Sequence, residues 1–330
     1  MQLRQKFGLL AIFSVLTLSA APLMVAAQGY PNKQLSMIVP YPAGGPSDVV
    51  ARQVQPELSR ILAQPIIADN VGGVGGALGV QKMLNSPADG YTFLVGTPME
   101  LVQAPLALAA VKYKPEEARL VSLIMNTNMV LIARKDAPFN TVDELIQYAK
   151  NKSNKELTYG SVGQGSMYHL VAEKFRQQVG IHMLHVPYKG AAPVMQDLLG
   201  GQIDLVFFPF AGNLPGMIEG GNVKALGLAA PNRHPRFPNL PLLSENKLLK
   251  NFSFDLWIGI EVPQNTPADI VAKLNKAAND VIANPEVKKT IESTGGRAAS
   301  PMGVEDLNKF YQSEIVRYKT IAKSINLEAQ

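Results

Sequence analysis

The residues of this chain that could do chemistry lie mainly in two glycine-rich loops. The first loop, residues 41–48, reads Tyr-Pro-Ala-Gly-Gly-Pro-Ser-Asp, and the second, residues 160–166, reads Gly-Ser-Val-Gly-Gln-Gly-Ser. Each follows a short apolar run typical of a buried strand and precedes a helical pattern, with Ser47 or Asp48 as the predicted N-cap of the first helix. The free N–H groups of such a helix start suit an anion. A tight turn that binds no ligand is the alternative for the first loop alone.

Hydrolysis is the catalytic reaction that these residues could support. Ser161 or Ser166 could act as the nucleophile with His169 as the base, but no Gly-x-Ser-x-Gly elbow surrounds Ser166. The chain has no cysteine, so thiolate nucleophiles and cysteine zinc sites are excluded. His182 and His185 lie in a predicted strand, which would place them on opposite faces. We predict a protein that is not an enzyme and holds no metal or cofactor, with a serine hydrolase that uses Ser166 and His169 as an alternative.

Two further patterns exclude nucleotide and nucleic-acid binding. The glycine cluster at residues 72–76 lacks the third glycine of the dinucleotide fingerprint, because Leu78 stands there, and the sequence contains no P-loop. The formal net charge of the 330 residues is only +5, and no basic run is interleaved with aromatic residues. We therefore expect no nucleic-acid partner.

The N-terminus carries the pattern of an export signal. Arg4 and Lys6 precede an uncharged and mostly apolar run, and small residues then stand at the −3 and −1 positions of a cleavage site. We predict that residues 1–27 are a cleaved signal peptide and that the mature chain starts at Gln28. No other segment approaches the ~18 uninterrupted apolar residues of a membrane-spanning helix.

The succession of strand, glycine-rich loop and helix occurs twice, which predicts two α/β units with parallel strands. Two apolar segments, near residues 120–133 and 254–260, are interpreted as strands that cross between the units. They divide the chain into a first lobe of residues 28–127 with 251–330 and a second lobe of residues 128–250. The two glycine-rich loops would then face one another across a cleft, and such clefts are favoured ligand sites.

Local patterns predict two features of individual helices. Thr141 and Glu144 have the spacing of a capping box, which predicts a helix that runs through Lys150. Pro56 falls inside the helical pattern that follows the first loop, where it should kink or split the helix.

Four motifs together resemble one known family. They are Pro-Tyr-Pro-Ala-Gly-Gly-Pro-Ser-Asp at 40–48, Asp-Gly-Tyr-Thr at 89–92, Tyr-Gly-Ser-Val-Gly-Gln-Gly-Ser at 159–166 and His-Val-Pro-Tyr-Lys-Gly at 185–190. Their order and spacing resemble the Bug family, the extracytoplasmic solute receptors of tripartite tricarboxylate transporters. The resemblance implies an α/β protein with the two-lobed type II periplasmic-binding fold, each lobe a mixed or parallel sheet flanked by helices. It also implies a periplasmic location and capture of a small carboxylate in the cleft.

The resemblance also implies the partners and the site. The partners would be the membrane components of the transporter, and we expect the receptor to be a monomer; a receptor that signals to a sensor kinase is the alternative. Strand ends and loops at the same cleft add further candidates to the residues that the motifs carry over. The full candidate ligand-binding set is Tyr41, Pro42, Ala43, Gly44, Gly45, Asp48, Thr97, Ser161, Gly165, Ser166, His169, Tyr188, Lys189, Gly190 and Phe208.

Phe208 is a departure from the family pattern that bears on the ligand. Many relatives have an aspartate at this strand end, which can pair with a ligand nitrogen, and a phenyl ring cannot make that bond. The predicted ligand class is a di- or tricarboxylate or an aromatic acid. Within it, Phe208 predicts a ligand with an anionic end and an apolar body, such as an aliphatic dicarboxylate or an aromatic acid, over an amino acid. Because strand faces alternate, the alternative is that Phe208 points into the core of the second lobe.

Overall fold

The structure is a computed structural model that describes residues 29–151, 153–324 and 329. The predicted signal peptide and its cleavage point before Gln28 lie outside these residues. Within the described part of the chain, every helix is too short or too polar to cross a lipid bilayer.

Strands and helices alternate through most of the chain. The strands are β1 (Leu35–Val39), β2 (Ile66–Asn70), β3 (Thr92–Gly96), β4 (Ala118–Arg134), β5 (Leu157–Ser161), β6 (Met183–Pro187), β7 (Leu205–Pro209), β8 (Val223–Ala229), β9 (Asp255–Pro263) and β10 (Arg297–Ala298). The helices are α1 (Pro46–Leu62), α2 (Ala77–Leu84), α3 (Ala104–Ala107), α4 (Val142–Lys150), α5 (Met167–Val179), α6 (Ala191–Leu199), α7 (Leu214–Glu219), α8 (Ala268–Ala283), α9 (Pro285–Ser293) and α10 (Val304–Ser324). A short π-helical segment, Met99–Gln103, leads into α3.

The strands form a mixed sheet in the order β2-β1-β3-β9-β4-β7-β5-β6, with β8 and β10 also paired to β4. The outer strands of each half are parallel, and β4 and β9 run antiparallel to their neighbours. The predicted α/β fold with mixed sheets flanked by helices is therefore confirmed.

Strand β4 is common to both halves of the sheet. It pairs with β9 as far as Asn128, and from Met129 onward it pairs with β7 and β8. A second crossing lies at Phe254, whose backbone bonds both Met129 and Ala229. On this change of partners we propose the lobes that the sequence predicts, residues 28–127 with 251–330 and residues 128–250.

Helix α1 differs from its prediction in two respects, its N-cap and the effect of Pro56. It begins at Pro46 with Gly45 as N-cap and no side-chain cap, so Ser47 and Asp48 lie inside the first turn and the predicted capping role is wrong. The helix also continues through Pro56, which does not split it. Pro56 is on the exposed side, where water can satisfy the carbonyl that its missing N–H leaves free. Helix α4, in contrast, runs to Lys150 as predicted.

Two glutamates are fully buried together in the first lobe. Glu100 accepts hydrogen bonds from the hydroxyls of Tyr41 (2.9 Å) and Thr97 (2.6 Å). Neither oxygen of Glu261 has a well-formed hydrogen bond to a described residue, although both carboxyls pack against Gly96. Burial raises the pKa of Glu100 to about 7 and raises the pKa of Glu261 well above its usual value. At pH values between the ordinary pKa of glutamate and these raised values, the two carboxyls therefore hold protons that free glutamates would lose.

This pair should make stability depend on pH. Between the unfolded pKa near ~4.3 and the higher folded pKa values, the folded state binds more protons than the unfolded state, so the free energy of unfolding falls as the pH rises. Urea unfolding of Glu261→Gln at pH 5, 6, 7 and 8 should give a flatter dependence than the wild type. Glu305→Gln, at an exposed side chain on α10, should keep the wild-type slope. If the free energy of unfolding changes with pH in the same way for the wild type and for Glu261→Gln, Glu261 is already ionised in the folded protein.

Candidate ligand-binding site

Two adjoining cavities fill the cleft between the halves of the sheet. The empty space between their walls, together with the part that is open to solvent, is about 500 Å³ for the first cavity and about 680 Å³ for the second. Both are lined by Gly45, Pro46, Ala191, Ala192 and Ala211. The first cavity is also lined by Tyr41, Pro42, Ser47, Met99, Met125, Thr127, Val162, Tyr168, Pro209, Leu256 and Ile258. The second is also lined by Gly44, Val49, Met195, Gln196, Leu199, Phe208, Gly212, Asn213, Leu214 and Met217.

The described residues that line this cleft carry no side chain that is charged near neutral pH. Among the described residues that line the two cavities, none is Asp, Glu, Lys, Arg or His. A ligand charge in the cleft therefore has no side chain of opposite charge beside it. Any anion held here must be stabilised by backbone N–H groups, hydroxyls and helix dipoles.

Two helix starts supply such groups from opposite sides of the cleft. Helix α1 begins at Pro46 in the first lobe, and helix α6 begins at Ala191 in the second. Both have a glycine N-cap, Gly45 and Gly190, that makes no side-chain capping bond. The first N–H groups of each helix have no partner inside the helix. The two positive dipole ends therefore meet at the cavities and favour a carboxylate between them.

Asp48 shapes the first loop rather than the ligand surface. Its carboxylate is buried and accepts bonds from the Gly44 N–H (2.9 Å), from Arg52 Nε (3.0 Å) and from Asn70 Nδ2 (2.9 Å). Burial works against its ionisation, but the bonds from Arg52, Gly44 and Asn70 hold the pKa of Asp48 below its usual value. Because Arg52 balances its charge, Asp48 can stand at the start of α1 without strongly repelling an anion.

The loops of the two lobes come close together at Pro42. A Cβ added to Gly190 would lie 3.2 Å from Pro42 Cδ, and one added to Gly72 would lie 3.1 Å from the same atom. Pro42 is thus held between a loop of its own lobe and the start of α6. Glycine at these positions lets the two lobes approach closely.

The second glycine-rich loop bonds mainly to itself. Ser166 caps α5 and donates to the Gly163 carbonyl (2.6 Å), and the Gly165 N–H donates to His169 Nδ1 (3.1 Å). Ser161 Oγ lies 2.7 Å from His185 Nε2. None of Ser161, Gly165, Ser166 and His169 lines either cavity, so their predicted contact with a ligand stays a prediction. The His169 ring bonds a backbone amide and not Ser166, which is not the arrangement of a serine hydrolase.

The remaining predicted residues are divided between the cleft and its surroundings. Phe208 lines the second cavity, while Thr97 bonds Glu100 inside the first lobe. Tyr188 donates to Asp197 (2.6 Å), and Lys189 is exposed. Ala43 is exposed and lines neither cavity.

Sequence reasoning missed residues that the structure places at the centre of the cleft. Ser47 and Tyr168 line the first cavity, and Ala191 and Ala192 bring the start of α6 to both cavities. The start of α6 could have been found, because it directly follows the Tyr-Lys-Gly motif. Tyr168 lies in the same helical turn as His169, and the sequence does not show which of the two faces the cleft.

Asp48 should be essential to the stability of the first loop. Asp48→Ala leaves the Gly44 N–H, Asn70 and Arg52 without their shared acceptor, which should lower the free energy of unfolding by about 2–4 kcal/mol. Asp280→Ala breaks only an exposed ion pair with Lys276 on α8 and should cost less than about 1 kcal/mol. Urea unfolding of both variants beside the wild type measures the difference. Equal costs would mean that the Asp48 network does not stabilise the loop.

Comparison with known proteins agrees with this geometry. The family described as "Tripartite tricarboxylate transporter family receptor" matches residues 50–327. Protein BugT of Bordetella pertussis is 29% identical over 330 residues, which cover 98% of each chain. The family match and the alignment with BugT both extend over most of the chain.

Solved structures show the same fold. The periplasmic binding protein BugD superimposes with a TM-score of 0.85 at 30% identity, over 91% of this chain and 100% of that one. A protein of R. palustris solved with adipate superimposes with a TM-score of 0.86 at 28% identity, again over 91% and 100% of the two chains. The chain therefore belongs to the family of tripartite tricarboxylate transporter receptors and is a solute-binding receptor, not an enzyme.

Proposed function

We propose that this receptor captures, in the periplasm, a small organic acid with an apolar body and delivers it to the membrane components of a tripartite tricarboxylate transporter. The observation that carries the proposal is the meeting of two helix starts, α1 and α6, in a cleft whose described lining contains no Asp, Glu, Lys, Arg or His. Family membership supports the transporter as partner. The adipate held by the R. palustris relative supports an organic acid as ligand.

The charge pattern of the cleft favours an acid over an amino acid. A carboxylate can accept bonds from the free N–H groups of Ser47 and Ala192, each worth about 1.5–3 kcal/mol for a charged acceptor. Three or four such bonds could supply the ~8 kcal/mol of micromolar binding if ordering costs are small. A ligand ammonium would find no acidic side chain and would be desolvated without a partner, at a cost of several kcal/mol.

The second cavity accounts for the apolar body. Phe208 lines it together with Met195, Leu214 and Met217. Each Å² of apolar ligand surface buried there contributes about 25 cal/mol. The ligand carboxylate would sit at the two helix starts and its hydrocarbon part against these side chains.

Export and the monomeric state complete the proposal. The N-terminal pattern predicts removal of residues 1–27, which gives a mature chain that starts at Gln28. Intact-mass analysis of periplasmic material tests the cleavage point, and size-exclusion chromatography with light scattering tests the monomer.

A ligand screen tests the proposed function. Thermal-shift assays with mono-, di- and tricarboxylates, aromatic acids and amino acids should show stabilisation by acids with an apolar body and none by amino acids. Each compound that is released from the protein after binding should have an unchanged mass, as expected of a receptor that does not convert its ligand. Stabilisation by amino acids alone, or by none of these compounds, would contradict the proposal.

Phe208→Ala tests the role of the second cavity. Phe208 is only 6% exposed, so the variant should bind an apolar-bodied acid about threefold more weakly, because roughly 25 Å² of apolar contact is lost at ~25 cal/mol per Å². Phe237→Ala is the control, since this ring lies in the same lobe and lines neither cavity. Calorimetric titration measures both affinities. If the two variants lose affinity equally, Phe208 makes no specific contact.

A further inference from the structure

Two buried carboxyl groups lie behind the wall of the first cavity, and the proposed function does not use them. We propose, building on that function, that Glu100 and Glu261 form a proton-binding site that is linked to the ligand site, so that the receptor takes up a proton when it binds its anion. The affinity for the acid then falls as the pH rises through neutrality, although neither carboxyl lines the cleft.

The first observation is that the two carboxyls are close together and fully enclosed. Both residues are 0% exposed, and a Cβ added to Gly96 would lie 2.8 Å from Glu261 Oε2 and 3.0 Å from Glu100 Oε1. Gly96 is paired with Gly259 across β3 and β9, and a Cβ added to Gly259 would lie 2.9 Å from Glu261 Oε1. The two glycines leave the space that the Glu261 carboxyl occupies. Because two neighbouring carboxylates are costly to ionise together away from water, the pair binds protons as one unit.

The second observation is that the pair is connected to the first cavity. The Tyr41 hydroxyl donates to Glu100 Oε2 (2.9 Å), and Tyr41 lines this cavity. Glu100 belongs to the π-helical segment Met99–Gln103, and Met99 lines the cavity as well. Ser47, in the first turn of α1, is part of the same lining. An anion held at the start of α1 therefore shares its cavity with residues that bond or directly precede Glu100.

The third observation is that the tyrosines around the pair remain neutral. Burial raises the pKa of each of them, so none of them supplies or removes a proton near neutral pH. They are Tyr41 in the first loop, Tyr113 before β4, Tyr311 on α10 and, on the far side of Tyr41, Tyr168 on α5.

The charged groups near the pair leave the two carboxyls as the titrating site. The charge that acts most strongly on Glu261 is that of Glu100, which has the same sign. Arg119 on β4 is opposite Val262, so its side chain points to the other face of the sheet from Glu261. Glu116, which acts on Tyr311, is half-exposed and is balanced by Lys319.

Opposed effects make the pair responsive at neutral pH. Burial raises the pKa of Glu100 and the hydrogen bonds from Thr97 and Tyr41 lower it, with a resulting pKa of about 7. A bound anion places a further negative charge near the pair, which raises the pKa in the complex. The complex then binds more protons than the free receptor around and above pH 7. By linkage, the affinity is highest below the pKa of the free receptor and falls until the pH exceeds the pKa of the complex.

Calorimetric titration in buffers of different ionisation enthalpy tests the inference on the mature protein. The probe is the tightest binder among the α,ω-diacids of four to eight carbons and benzoate, with each affinity corrected for ionisation of the acid itself. At pH 7.5 the wild type should take up about half a proton per ligand, and its affinity should be about three- to tenfold higher at pH 6.5 than at pH 8.5. Such values follow if the anion changes the proton equilibrium of the pair by about tenfold.

Replacement of the carboxyls by amides separates this site from other titrating groups. The double variant Glu100→Gln with Glu261→Gln should show neither proton uptake nor the fall in affinity, because both side chains are neutral at every pH. Glu100→Gln alone should lose most of the uptake. Glu314→Gln is the control, since Glu314 is a buried glutamate of the first lobe that is paired with Arg317 and lines neither cavity. This control should keep the uptake of the wild type.

Two outcomes would overturn the inference while the proposed function stands. They are an affinity of the wild type that is the same at pH 6.5 and 8.5, and proton uptake that persists in the double variant. The wild-type measurement decides the first of these even if the variants do not fold. Failure of every acid in the ligand screen to bind the wild type would instead contradict the proposed function itself.

Discussion

An anion in a cleft without basic side chains can be held only by backbone N–H groups, hydroxyls and helix dipoles. The sheet and the loops of this structure place such groups on both sides of the cleft. Single helix starts contribute weakly to binding, so two must converge, one from each lobe. Helix α1 and helix α6 do so, with Gly45 and Gly190 as N-caps that leave their N–H groups uncovered. Asp48 and Arg52 fix the shape of the first loop from behind.

The convergence of the two helices depends on the sheet that carries them. Strand β4 pairs with strands of both halves, so the two lobes share one continuous element. Pro42 and Gly190 already lie close together in this structure. A hinge near Asn128, where β4 changes partners, would open the cleft without breaking either half of the sheet.

Much of the architecture could be predicted because it depends on local sequence. Glycine-rich loops, the Thr141 cap and alternating strands and helices are read directly from residue types. The assignment of Ser47 and Asp48 to a cap failed because Pro46 is favoured at the first helical position. Tyr168 and the Glu100–Glu261 pair were not identified because their roles follow from tertiary contacts between distant segments. Spacing along the chain carries no signal for such contacts.

The most direct test of this account is a crystal structure of the mature protein with the acid that binds most tightly in the screen. The account predicts the ligand carboxylate within hydrogen-bond distance of backbone N–H groups at the starts of both α1 and α6. The ligand body should lie against Phe208, with no charged side chain in contact with the carboxylate. A carboxylate held by the Lys189 side chain, or bound only by the loop from Ser161 to Ser166, would contradict it.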